Sequence, residues 1–506
     1  MTPPPNPPTA AAAAAPAPAP GERAVLGVDI GTSSTKGVLV ALDGRILATT
    51  TRSHSVQRPR TGHVEMDGRV WWEEFASIAE ELTGGAETIV AVGVSGMGPC
   101  VLLADADDEP VRPAILYGVD TRAVDQIAEL DARYGRERIL ERCGSALTSQ
   151  AAGPKLAWVR ENEPEAWERS ARFFMPSSYL VRRLTGAYVL DQHSASQVTP
   201  LYDRHTQEWI RDWADEVAPG IELPPLLWPG EVAGTVAAPV AGIPAGVPVV
   251  AGTIDAWTES VSVHATGPGD LMLMYGTTMF LVATVDAPAT DPSMWGTTGV
   301  FPGTHNLAGG LATSGAITDW IRTLAGDVGF AELVAEAAAS PAGARGLLLL
   351  PYFAGERTPI QDPDARGTVV GLTLEHTRGD LYRAALEGTA FAVRHNIETM
   401  RAGGADIRRV VAVGGGTQGD VWTQIVSDVT GLEQVIPAQT IGASLGAAML
   451  AAAAADVDTS GWNPPERVIA PDPAAASRYA DLYPLYLDLY TRTKDLVHQL
   501  VALTEA

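Results

Sequence analysis

The stretch AVLGVDIGTSSTKGVLVALDGRILATTT, residues 24–51, decides how this chain is read. AVLGVDI, Ala24 to Ile30, is apolar and rich in β-branched residues, and it predicts a strand that closes on an acid, Asp29. A turn of glycine and hydroxyl residues, Gly31 to Thr35, follows. KGVLVAL predicts a second strand, Asp43-Gly44 a hairpin turn and RILATTT a third strand. Downstream, VWWEEFASIAEEL predicts a helix capped by Asp67 with the Trp71-Trp72 pair in the core, and TIVAVGVS, Thr88 to Ser95, a buried strand. Three antiparallel strands, a helix and a further strand make an α/β domain with a mixed sheet.

A similar order returns later. LMLMYGTTMFLVATV, Leu271 to Val285, reads as strand, Gly-Thr-Thr turn, strand; a helix around Asp380 to Ala402 leads into the strand RRVVAVGGG, and another helix starts near Asp420. A chain of 506 residues exceeds what one core supports, roughly 250–300 residues, so two domains with a cleft between them are expected. Their boundary is placed between Asp255 and Gly269, giving an N-terminal domain over residues 23–258 and a C-terminal domain over 259–506. Residues 1–22 form a proline/alanine-rich tail that lacks a basic segment, reads as extended rather than as a secretory signal, and stands outside the fold. The apolar run from Ala447 to Ala455 is too short to span a bilayer.

Composition narrows the function. With 35 basic and 60 acidic residues the formal net charge is −25, which disfavours nucleic acid and anionic membrane as partners. A nucleotide remains compatible, because a local nest of N–H groups and a metal ion suffice to hold it. Two cysteines, Cys100 and Cys143, make neither a disulfide framework nor a zinc site, and a reducing cytoplasm is expected. The nine histidines show no metal-ligand spacing, and no basic helix-turn-helix segment is evident.

Three sets of residues carry chemistry. Asp29 with the turn Gly31-Thr32-Ser33-Ser34 and Lys36 presents N–H groups and hydroxyls to one point, a way to hold phosphate without the absent GxxxxGK[ST] loop. Asp29 is placed to hold Mg²⁺ against the phosphates; the structural alternative is an ordinary hairpin turn. Asp255 follows the apolar strand VPVVAGTI and precedes Trp257, so it is either a partly desolvated general base or a helix N-cap. Gly276-Thr277-Thr278 and Gly414-Gly415-Gly416-Thr417 are either close-approach turns for a ligand or plain strand-to-helix turns.

Taken in order, GVDIGTSSTKGVLVALDGRIL, AGTIDAWTESV, MYGTTMFL, LATSGAITDWIR, RGTVVGLTLEHTRGDLYRAALEGTAF, VAVGGGTQGDVWTQIVSDVTG and IGASLGAAMLA resemble the FGGY carbohydrate kinases from about Ala24 to Val501. The resemblance implies two actin-like, ribonuclease-H-like domains that close over ATP and a sugar. It implies Asp255 as the base, Asp29 as the metal-side carboxylate, Thr32 and Ser33 at the γ-phosphate, and Ser34 and Lys36 as further ATP contacts. It also implies Gly276 and Thr277 at the β/γ-phosphates, and Gly315, Gly415, Gly416 and Thr417 along the nucleotide.

The acceptor side is less regular. RPAILYGVDTRA, GHVEMDGRVWW and YPLYLDLYTRTKDL are similar to the xylulokinase branch, which implies D-xylulose going to its 5-phosphate. Yet in Ser95-Gly96-Met97-Gly98-Pro99-Cys100 the positions that match a sugar-binding Met-His pair are Gly98 and Pro99, which offer no side-chain donor. Tyr117 stands where the branch has Trp, with one extra residue before Asp120. Met97, Gly98, Pro99, Asp120, Arg122 and Asp255 are the expected sugar contacts, and Asp120 and Arg122 are alternatively a pair that fixes their loop. Another ketose, a polyol or a sugar acid is the alternative acceptor, and a non-catalytic actin-like regulator the alternative of another class. A homodimer is compatible with this reading.

Overall fold

The computed structural model describes residues 21–84 and 88–504, so the expected tail lies almost wholly outside the described residues. The first sheet is built from β1 (Arg23–Ile30), β2 (Ser34–Ala41), β3 (Ile46–Ser53), β4 (Thr88–Gly96), β5 (Val232–Thr235), β6 (Pro248–Val250) and β7 (Thr253–Ile254). Its order is β5-β6-β4-β1-β2-β3, with β7 also on β4. β1, β2 and β3 are antiparallel to one another, whereas β4 runs parallel to β1. The expected mixed sheet is what forms.

Helix α1 (Gly68–Thr83) lies on this sheet because Trp71, Phe75, Ile78, Ala79 and Leu82 fall on one face and are buried. Its start is fixed by the Asp67 carboxylate, which accepts from the Arg69 N–H at 3.0 Å. Trp71 is in the core as expected, but Trp72 is only half-buried; it stacks on Phe75 with 5.7 Å between centroids and lies under the Arg183 guanidinium. The two rings are neighbours in sequence, so a helix turns them about 100° apart and only one reaches the sheet.

The second sheet contains β8 (Asp270–Tyr275), β9 (Met279–Val285), β10 (Trp295–Thr298), β11 (His305–Leu311), β12 (Arg409–Val413), β13 (Gln434–Pro437) and β14 (Pro465–Ile469), in the order β10-β11-β9-β8-β12-β13-β14. The path β11-β9-β8-β12-β13 repeats β3-β2-β1-β4-β6, with the same two antiparallel and two parallel pairings. The turns at residues 31–33 and 276–278 occupy equivalent places in the two sheets. Architecture is duplicated, as the repeated punctuation predicts.

Two helices join the sheets: α2 (Asp255–Ser262) and, much later in the chain, α6 (Ala443–Ala454). Between β11 and α6 lie α3 (Gly315–Leu324), α4 (Arg378–Ala402) and α5 (Asp420–Thr430). Helix α6 packs on the first sheet although its residues belong to the second half of the chain. A methyl on Gly27 of β1 would stand 2.1 Å from the Ser444 carbonyl, and one on Gly93 of β4 1.9 Å from that of Ala447. On α6 itself, a methyl on Gly446 would stand 1.8 Å from the Thr258 carbonyl of α2. Glycine is required at all three contacts. A continuous core follows, running from Val25 and Val38 through Ile254, Leu445 and Ala448 to Met272 and Val413. Among the described residues no helix is long and apolar enough to cross a membrane. Cys100 and Cys143 are both buried free thiols.

Candidate active site

The site forms where parallel strands end together. Register sets Asp29 of β1 beside Ser95 of β4, and Ser95 beside Thr253 of β7, so their C-terminal ends line one edge. This is where open α/β sheets bind ligands. Asp29 also faces Lys36 directly across the β1/β2 pair.

From β7 the chain enters α2 with no intervening loop. Asp255 is the first residue of the helix, Ile254 occupies the cap position, and the Asp255 Oδ1 accepts from the Ala256 N–H at 2.8 Å. The N-cap alternative for Asp255 is thus not what the fold uses. A hydrogen bond of 2.7 Å between Ser95 Oγ and Thr258 Oγ1 pins α2 to the sheet. One turn along from Asp255, on the same face, comes Glu259. Sequence reasoning missed it, although its spacing of four from Asp255 was readable.

Burial raises all three carboxyl groups, and the charge of Asp255 adds to the shift of the other two. Burial, then the charges of Asp255 and Glu259, push Asp29 up to about 7 against the opposing pull of Ser95 and Lys36. Burial lifts Asp255 to about 6, opposed by the Ala256 N–H. Glu259 goes to about 7 through burial first, eased by Lys36 and raised by Asp255. Asp29 is 8% exposed, and its Oδ1 is buried with no hydrogen-bond partner. An orphaned anionic oxygen in a cluster with surplus negative charge fits a divalent cation. No three His, Cys, Asp or Glu among the described residues stand close enough to cage an ion alone. Such a cation would share its shell with phosphate oxygens and water, as magnesium habitually does.

The two equivalent turns are each closed by a backbone hydrogen bond. In the first, the Gly31 N–H donates to the Ser34 carbonyl at 3.0 Å, and Thr32 and Ser33 stay accessible. Behind it His54 bridges the Gly31 carbonyl at 3.0 Å and the Glu74 carboxylate at 2.9 Å, while Thr35 donates to the same carboxylate. Glu74 and His54 are 20 residues apart and gave no sequence signal. In the second turn the Gly276 N–H donates to Thr278, and the N–H groups of Gly315 and Ala316 at the start of α3 donate to the carbonyls of Gly276 and Thr277. Gly276, Thr277 and Gly315 are thereby brought together.

Gly414 turns the chain at φ +94° against the Tyr275 carbonyl, and Gly416 packs on Tyr275 and Trp422 with no room for a side chain. Gly415 is open. Thr417 is buried and its hydroxyl donates to the Gly414 carbonyl, so it shapes the turn. Beyond it, Gln418, Ile436, Pro437, Thr440 and Arg467 line a cavity of about 490 Å³, a size suited to a nucleoside.

On the opposite side, Met97 is buried and its N–H donates to the Ile30 carbonyl. Gly98 abuts Ile254 so closely that a methyl would stand 2.6 Å from that side chain, and Pro99 follows it. Gln150 bridges this loop to the next by donating to the Gly98 carbonyl at 3.3 Å and accepting from the Gly118 N–H at 3.0 Å. Lys155, buried and lowered by that burial to about 8, donates to the carbonyls of Leu116 and Tyr117. The Tyr117 hydroxyl thereby meets Thr32 Oγ1 of the first phosphate turn at 2.9 Å. Gln150, Thr148, Gln197 and Thr199 from the first half and Trp295 and Thr297 from the second line a small uncharged cavity next to this loop.

Asp120 and Arg122 resolve differently from the sugar-contact alternative. Arg122 forks onto Asp120 at 2.7 Å and onto Glu65 at 2.7 Å, Asp120 also accepts from the Val64 N–H, and neither side chain is exposed. They hold the loop that carries Tyr117.

Comparison with known proteins agrees with this geometry. The model of the FGGY family of carbohydrate kinases, N-terminal domain, matches residues 24–261, and that of the C-terminal domain matches residues 271–455. The xylulose kinase of Bacillus subtilis is 29% identical over 93% of this chain and 97% of its own. A glycerol kinase of Nocardia farcinica is 32% identical over 85% of this chain and 89% of its own. The crystal structure of xylulose kinase from Rhodospirillum rubrum superposes with a TM-score of 0.88 at 33% identity, covering 94% of this chain and all of that one. With both family domains matched in sequence and the actin-like pair of sheets, the chain belongs to the FGGY family of carbohydrate kinases.

Proposed function

We propose that the cleft transfers the γ-phosphoryl group of ATP to a hydroxyl of a neutral ketose or polyol, with D-xylulose the first acceptor to test. The observation that carries this reading is the place of Asp255. It is a half-buried carboxylate at the first position of α2, within electrostatic reach of Asp29 at the end of the first sheet, with one oxygen held by the Ala256 N–H. The other oxygen, Oδ2, takes the proton of the acceptor hydroxyl as the hydroxyl oxygen bonds to the γ-phosphorus and the bond from phosphorus to the ADP oxygen breaks. Thr32, Ser33, Ser34 and Lys36 hold the γ-phosphate from one side, and Gly276 and Thr277 the β/γ-phosphates from the other. Gly315, Gly415, Gly416 and Thr417 border the nucleotide. Asp29 and Glu259 would hold Mg²⁺, which supplies positive charge to the phosphate oxygens. The loop at Met97, Gly98 and Pro99 with Gln150 forms the acceptor wall.

That wall supports a neutral acceptor, because Gln150, Thr148, Gln197 and Thr199 bring amides and hydroxyls and no ionised group. The lack of a side-chain donor at Gly98 and Pro99 also favours testing acceptors smaller than a pentulose, and the glycerol kinase relative points the same way. A coupled ADP assay over pentuloses, alditols and aldonates decides between them. Turnover with D-xylulose supports the leading assignment, turnover with glycerol alone replaces it with the polyol reading, and turnover with aldonates alone contradicts a neutral acceptor. The two buried free thiols are compatible with work in a reducing cytoplasm.

A further inference from the structure

Arg357 joins an unpaired guanidinium to a firmly held backbone. Its guanidinium is exposed and makes no hydrogen bond or ion pair with any described residue, in a chain that carries 60 acidic residues. A free surface arginine normally sits on a loose backbone; this one does not. Immediately before it, the buried Glu356 carboxylate accepts from the Arg357 N–H at 2.7 Å and from the Ala312 N–H at 2.9 Å. Immediately after it, the Thr358 hydroxyl accepts from the Gly310 N–H at 2.6 Å and donates to Asn396 Oδ1 at 2.6 Å. Glu356 and Asp362 exchange both backbone hydrogen bonds and close the loop at its base.

This mount is tied to the second phosphate turn. Gly310 and Ala312 flank the end of β11, where Leu311 pairs with Met279, the residue that follows the turn 276–278. Two residues on from Ala312, the N–H groups of Ser314, Gly315 and Ala316 bond to the carbonyls of Thr277 and Gly276. Across the cleft, the positive charge of Arg357 acts on the Tyr117 hydroxyl, which is itself bonded to Thr32 of the first turn. The Arg357 loop is therefore braced against the strand that carries the second turn, with its charge in electrostatic reach of the Tyr117 hydroxyl beside the first. The first turn is backed by Asp29, Asp255 and Glu259 against Lys36, a field that repels an incoming phosphoryl group.

We infer that Arg357 is the cation by which the second half of the molecule grips the γ-phosphoryl group of ATP, through the paired N–H groups that suit guanidinium to phosphate. The inference rests on the proposed transfer at this cleft, and its test needs no acceptor. Arg357→Gln and Arg357→Lys are compared with the unaltered chain by calorimetric titration with magnesium ADP and with the β,γ-imido analogue of ATP. For Arg357→Gln, ADP affinity is expected to stay within about twofold while affinity for the imido analogue falls about tenfold, the worth of one charge-assisted contact. Arg357→Lys keeps the charge and loses the fork, so it is expected between the two. With whichever acceptor the unaltered enzyme turns over, kcat of Arg357→Gln is expected to fall at least about a hundredfold. Equal weakening for both nucleotides means a structural role and overturns the inference, as does unchanged affinity for both. Absence of kinase activity in the unaltered chain would sink the proposed function, while the nucleotide comparison would still decide Arg357.

Discussion

Tyr117 and Thr32 share a hydrogen bond of 2.9 Å that ties the loop beside the acceptor wall to the first phosphate turn. The bond exists because Lys155 and Gln150, both from the first half, clamp residues 116–118 from behind. On the proposed function, this bond couples the acceptor side of the cleft to the γ-phosphate turn. Tyr117→Phe keeps the ring and removes only the hydroxyl. It is expected to lower kcat/KM for the acceptor by roughly 5- to 30-fold, with the melting temperature moved by no more than about 4 °C. Steady-state kinetics check the first and thermal unfolding the second. An unchanged kcat/KM would remove the bond from any part in the reaction.

The pH dependence follows from the carboxylates. Asp255 must be ionised to accept a proton, and burial sets it at about 6; Asp29, at about 7, must be ionised to hold a cation. Both are raised carboxyl groups, so both are protonated at the acid end and release their protons as pH rises. Turnover is expected to climb through the interval from 6 to 7 and to level off above it, with apparent constants that belong to the pair. A pH–rate profile checks this. A rate that is flat between about pH 5 and pH 8 would contradict it.

Packing of α6 on the first sheet predicts intolerance at glycine. Gly93→Ala places a methyl 1.9 Å from the Ala447 carbonyl, a contact that backbone on both sides must relieve. A loss of about 1–3 kcal/mol or more is expected, read as a fall in melting temperature. Gly329→Ala, where nothing lies within 4 Å of the added methyl, is the matched control and is expected to leave stability intact. Equal stability for the two variants would contradict the close approach of α6.

What the sequence disclosed was what lies close along the chain. Ala24 to Thr51 reads correctly because strand, turn and hairpin are set within a few residues, and the equivalent turn at Gly276 repeats the same local pattern. Asp29 and Asp255 were legible as candidates because each lies at the end of an apolar strand, and that placement brings them to one edge of the sheet. The seat of α6 was not legible, since it depends on Gly27 and Gly93 lying more than 300 residues upstream of Ser444 and Ala447, and each glycine reads locally as an ordinary strand residue. Asp120 and Arg122 carried charge and spacing but no direction; only Glu65 and the Val64 N–H turn them inward. His54 with Glu74 and Gln150 with Gly98 are pairs assembled by the fold, and Arg357 acquires meaning only from the unpaired state of its guanidinium.

Asp255→Asn tests the central claim most directly, because it keeps the shape of the side chain and removes its ability to take a proton. The measurement is acceptor-dependent ADP release by the variant, alongside its affinity for magnesium ADP. Turnover is expected to fall by roughly 10²–10⁴-fold while ADP affinity stays within about threefold. Turnover within about threefold of the unaltered enzyme, at the same ADP affinity, would contradict the assignment of Asp255 as the base on which the account stands.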